Sequence, residues 1–112
     1  PVTDINQYLY APDAGEAVAL AFKKKTNPSQ RIFNISDGKL TGVKEVIKIV
    51  ESQIPGASIK LTKSAWKKSK GTSFVPEPFN LNAAKKYLGY KPKWPMVKAV
   101  KDYARLVRLR GE

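Results

Sequence analysis

Fifteen residues, Asn80 to Trp94 (N-L-N-A-A-K-K-Y-L-G-Y-K-P-K-W), constrain this chain most. They hold a helix start, a short helix, a glycine stop and a proline bracket. Asn80 suits an N-cap, because its side-chain oxygen can accept a free amide of the first turn. Leu81, Ala84 and Leu88 fall on one helical face. Gly89 supplies the left-handed residue that ends a helix, and Pro92 prevents the helix from resuming. Structurally the stretch reads as a capped surface helix.

The rest of the chain alternates helix-like and strand-like patterns. Asp13 and Glu16 form a capping-box-like pair, predicting a first helix over Asp13 to Lys24. Its inward face would carry Ala17, Leu20 and Ala21, with Val18 and Phe22 beside them. Residues 27–30 form a turn. Arg31 to Ser36 is expected as a strand, with Phe33 and Ile35 on one side and Ile32 on the other. Apolar side chains on both faces suit a strand covered on both sides, as in a parallel sheet. Asp37-Gly38 turns the chain and Thr41 caps a second helix. That helix carries Val43, Val46, Ile47, Val50 and Ile54 at core-facing spacing and ends at Pro55-Gly56. Ala57 to Lys63 alternates as a half-exposed strand would, with Ile59 and Leu61 inward. Residues 64–78 form a Lys-, Ser-, Gly- and Pro-rich loop. A last helix begins near Pro95. Its apolar stripe is Val97, Val100, Tyr103, Ala104 and Val107, and its wet face is Lys98, Lys101, Arg105 and Arg108. The expected fold is α/β, in an α+β-like small lobe of about three short strands and about four helices. Residues 1–7 read as a loose lead-in.

The 112 residues suffice for one domain, and 42% hydrophobic content argues for a packed core. There is no cysteine, which excludes disulfides and thiolate chemistry and suits a cytoplasmic protein. Histidine, the commonest general base and metal ligand, is also absent. No apolar run approaches the roughly 20 residues of a membrane span, so no membrane partner is expected. The net charge of +12 is spread along the whole chain. A solvated, lysine-coated surface accounts for it most simply. The alternative is a stand-alone basic nucleic-acid-binding domain, with Lys60, Lys63, Lys67, Lys68 and Lys70 as the patch. That alternative is not the favoured one, because it requires cations gathered on one face with aromatics between them.

Three segments together resemble the C-terminal, substrate-binding part of the NAD-dependent epimerase/dehydratase family, the extended short-chain dehydrogenases that act mainly on nucleotide sugars. Leu88-Gly89-Tyr90-Lys91-Pro92 is similar to that family's L-G-aromatic-x-P signature. Tyr8 to Asp13, followed by an alanine-rich helix, is similar to its aromatic strand ending in Asp. Arg31 to Gly38 (R-I-F-N-I-S-D-G) looks like its Y-N-I-G-x-G strand and turn. They occur in the family's order, so the resemblance covers nearly all of the chain.

The resemblance implies a smaller lobe that normally packs on an N-terminal Rossmann domain, and residues 1–112 are expected to be one C-terminal substrate-binding lobe of a longer enzyme. NAD or NADP is implied for the full-length parent and no cofactor for this stretch, since the chain has no glycine-rich dinucleotide turn. The family's Tyr-x-x-x-Lys catalytic pair is expected outside the chain too, with none of Tyr8, Tyr10, Tyr87, Tyr90 and Tyr103 expected to serve as its tyrosine. No catalytic, cofactor-binding or metal residue is therefore expected here, and the chain alone should not catalyse hydride transfer.

The expected partners are a nucleotide sugar or another small molecule, and the missing Rossmann half; a homodimer through exposed apolar surface is compatible with this. In the resembled enzymes an Arg before the L-G-x-x-P helix contacts the substrate diphosphate, and Lys70 stands near that place, flanked by Lys67 and Lys68. An ammonium serves a phosphate as a point charge, without the fork of Arg. The accompanying acid is missing, with Thr72 or Ser73 near its position. A second Arg-Asp pair of nucleotide-sugar members is replaced by Asn6 and Gln7, which leaves room for a different small carbonyl or hydroxyl compound. Trp66 could stack on a base, or close the edge of a core. Tyr10 could face the substrate cleft, or pack in the core with Tyr8. Trp94, between two prolines, reads as a packing anchor.

Overall fold

The computed structural model describes residues 5–24, 29–61 and 77–111. In chain order the elements are β1 (Ile5–Asn6), α1 (Ala11–Lys23), β2 (Thr41–Gly42), α2 (Val43–Gln53), α3 (Ala84–Leu88) and α4 (Met96–Arg110). The architecture is mixed α and β, with a small two-stranded antiparallel sheet in which Ile5 faces Gly42 and Asn6 faces Thr41. Contacts gather into two compact units. One contains residues 5–6, 41–61 and 96–111; the other contains residues 7–24, 29–40 and 77–95.

The strand count departs from expectation: two strands, not about three, among the described residues. Arg31 to Ser36 is not in a ladder. Its backbone is held by single bonds instead. The Gln30 amide donates to the Ile32 carbonyl at 2.7 Å, and the Tyr90 hydroxyl donates to the Ser36 carbonyl at 2.9 Å. Phe33 and Ile35 pack inward as the alternation implied, but Ile32 is 81% exposed, so only one face is covered. Residues 57–61 are likewise without strand pairing, and Ile59 anchors its amide to the Glu51 carboxylate at 2.9 Å. Residues 62–63, the end of that expected strand, lie outside the described residues. The lead-in supplies β1 instead.

In the first unit α2 packs on α4. Met96, Val100, Leu106 and Val107 are half-buried and Ala99 is buried, whereas Val97 and Tyr103 of the expected stripe are exposed. Gly56, at φ +80°, turns the chain after α2. Thr41 is not the cap of α2. Gly42 holds that position with no side-chain cap bond, and Thr41 is paired in β2. The Thr41 side chain is buried, and its Oγ1 has no hydrogen-bond partner among the described residues. A buried hydroxyl without a partner loses its hydration for nothing, at a cost of about 1–3 kcal/mol. Thr41→Val, which keeps the shape, is therefore expected to stabilise the chain by about 1 kcal/mol in urea unfolding. An unchanged or lower midpoint would mean that the hydroxyl is satisfied.

Candidate functional site

The second unit brings the three resembling segments together. The helical stretch before Gly89 starts as expected, with the Asn80 side-chain oxygen accepting the Asn82 amide at 2.9 Å. Leu81, Ala84 and Leu88 face inward, and Ala84 and Leu88 join Ala17 and Tyr90 in the buried cluster. α3 is a wide, π-type turn. Gly89 closes it at φ +71°, and the Tyr90 amide reaches back to the Ala84 carbonyl at 3.2 Å. That left-handed residue turns the Tyr90 ring back beneath the helix, where it is 2% exposed.

α1 begins two residues earlier than the capping-box pattern implied. Tyr10 is the N-cap, and its carbonyl accepts the Asp13 and Ala14 amides at 3.0 and 3.2 Å. Pro12 sits in the first turn, where its missing N–H costs nothing. Asp13 is thus inside the helix, and its carboxylate is free for longer-range work. Of residues 92–95, only Lys93 and Trp94 carry an amide hydrogen, because Pro92 and Pro95 have none. Both amides donate to the buried Asp13 carboxylate, at 3.0–3.1 Å. The Lys93 ammonium also pairs with Glu16. Tyr10 and Trp94 pack with ring centroids 5.1 Å apart.

The third segment closes on the same core. The Tyr90 hydroxyl donates to the Ser36 carbonyl, and the Asp37 amide donates to the Tyr8 carbonyl at 2.9 Å. Gln7 ties two further stretches together. Its side-chain oxygen accepts the Ser36 hydroxyl at 3.1 Å and the Phe79 amide at 2.8 Å, while its amide donates to the Glu77 carbonyl at 3.3 Å. Gly38 turns at φ +78°, with its amide on the Ser36 hydroxyl.

Burial, reinforced by the negative charges of Asp13, Asp37 and Glu16, pushes the Tyr90 phenol from 10.0 up to about 12. The phenol is therefore a hydrogen-bond donor at neutral pH and no base. Because its folded value is raised, its contribution is full below pH 10 and is lost as the pH climbs towards 12. Wild type should lose urea resistance across that window more steeply than Tyr90→Phe, which has no proton there to lose. Parallel pH profiles for the two proteins would refute the assignment.

Of the expected substrate-binding residues, Trp66, Lys67, Lys68 and Lys70 lie outside the described residues. Tyr10 is half-buried, with its ring against that of Trp94. One tyrosine does have a lysine four residues on, Tyr87 with Lys91. Gly89 ends the helix between them, so they do not share the helical face that the catalytic pair needs. Tyr87 instead packs on Phe33, with centroids 6.5 Å apart. Sequence reasoning missed the polar roles of Gln7, Ser36 and Tyr90; the paired prolines around Lys93-Trp94 were the one signal that two amides there needed an acceptor. Among the described residues, no group of three His, Cys, Asp or Glu side chains is arranged to hold a metal ion, and no helix is long and apolar enough to cross a membrane. In comparisons with known proteins, no family model matches the chain, and neither does a curated protein or a solved structure.

Proposed function

We propose that this chain is the substrate-binding, C-terminal part of a cytoplasmic NAD(P)-dependent nucleotide-sugar epimerase/dehydratase-like enzyme and is not catalytic alone. One observation supports the reading above the others. The three segments that resemble that family, far apart in sequence, meet around one core through Asp13 on the Lys93 and Trp94 amides and Tyr90 on the Ser36 carbonyl. In this reading the core is a frame and the substrate contacts come from Lys67, Lys68, Lys70 and Trp66. The dinucleotide and the catalytic pair belong to a Rossmann half outside these residues.

The test is an amide-shift titration of the isotopically labelled chain with UDP-glucose and, separately, with NAD. UDP-glucose should shift Trp66 to Lys70 with an affinity of about 1 mM, the weak end of specific binding. Lys70→Gln should weaken that about tenfold, the worth of one charge-assisted hydrogen bond. NAD should shift nothing. A UDP-glucose response that is absent, or unchanged by Lys70→Gln, would overturn the proposal.

A further inference from the structure

α4 gathers four of its five cations on one face. Lys98, Lys101, Arg105 and Arg108 recur at three- and four-residue intervals, and all four are exposed. From Lys98 to Arg108 they cover about 15 Å of helix. One strand of duplex nucleic acid advances about 3.4 Å per phosphate, so this stripe spans about four phosphates with four cations. The only acid among residues 96–111 is Asp102. It pairs with Arg105 at 2.9 Å, and the Arg105 side chain remains 60% exposed. An ion pair that open is worth about 0–1 kcal/mol, so Arg105 can turn to a phosphate at little cost.

We propose that this outer face of α4 binds the phosphodiester backbone of a nucleic acid, independently of the substrate-binding reading. An anionic membrane fits less well. A surface-lying helix sinks its apolar face into the lipid, and here Ala99, Val100, Leu106 and Val107 turn towards α2 or are otherwise covered. The face of Lys98, Lys101, Arg105 and Arg108 offers mainly charge outward, with the exposed Leu109 at its end, and charge recognises spaced phosphates without insertion. The contact proposed is with phosphates alone, so the binding is indifferent to sequence.

The test uses the whole chain and a fluorescein-labelled 20-bp duplex, followed by anisotropy from low to physiological salt. Log K should fall against log salt with a slope of about −3, as for three to four released counterions. Lys101→Gln/Arg108→Gln should bring the slope about 2 closer to zero, one per lost phosphate contact. Lys44→Gln/Lys48→Gln on α2 removes the same charge from exposed positions and should leave the slope unchanged. Equal losses in both double variants would mean a diffuse field, and the proposal would fall. It would also fall if the wild type failed to bind at low salt. Binding to phosphatidylserine vesicles that depends on Lys101 and Arg108, with DNA affinity indifferent to them, would assign the face to membranes instead.

Discussion

Asp13→Ala is expected to lower the stability of the chain by about 3 kcal/mol, through the loss of a charged acceptor and the stranding of two amides in a buried place. The carboxylate is fully buried and is the acceptor for both the Lys93 and Trp94 amides. Pro92 and Pro95 restrict the backbone on either side of these amides. In thermal unfolding the loss corresponds to roughly 10–15 °C for a domain of this size. Asp13→Asn keeps one acceptor oxygen but turns an NH2 towards a donor, so about half the loss should remain. Urea unfolding of the three proteins measures both. A loss below about 1 kcal/mol in the Ala variant would mean that water or another group satisfies the amides.

Leu88→Ala should cost a similar amount, about 3 kcal/mol, for a different reason. Leu88 is 1% exposed, and its cluster includes two alanines, Ala17 and Ala84, which cannot spread to fill the space left behind. The cost combines lost transfer energy with an unfilled cavity. Leu88→Met, nearly the same volume, should cost less than about 1.5 kcal/mol. Phe22 is the natural control. It is larger than Leu88 yet 92% exposed, so Phe22→Ser should stay within about 0.5 kcal/mol of wild type. Equal losses at Leu88 and Phe22 in urea unfolding would contradict this division between core and surface.

That contrast also explains what the sequence made legible. Helical periodicity located the four helices among the described residues, because a repeat near 3.6 is a local property of the chain. The Asn80 cap, the Gly89 stop and the Gly56 and Gly38 turns were legible for the same reason: each is a bond or a torsion within a few residues. Periodicity did not say how much of each face is covered. Val18 and Phe22 lie beside the inward residues of α1 but face outward, and Tyr103 sits on the α4 stripe yet is exposed. The Arg31 to Ser36 segment has a strand's composition, but a strand needs a partner, and its bonds go to side chains and single backbone groups instead. Gln7 was invisible as a tie because its partners, Ser36, Glu77 and Phe79, lie 29 to 72 residues away. Asp13 was legible as a helix-start acid and illegible as an acceptor for Lys93 and Trp94, at separations of 80 and 81 residues.

Those separations set a schedule for the nascent chain. Ribosomes add about 5–20 residues each second, so Asp13 is made roughly 4–16 s before the two amides that will cover it. During that interval α1 can wind, but Ala17 and Leu20 have none of the Ala84, Leu88 and Tyr90 side chains to bury against. α1 can meet Phe33 and Ile35 early, but its core stays incomplete until residues 81–90 have been synthesised. A translational pause before Asn80 would lengthen that exposure.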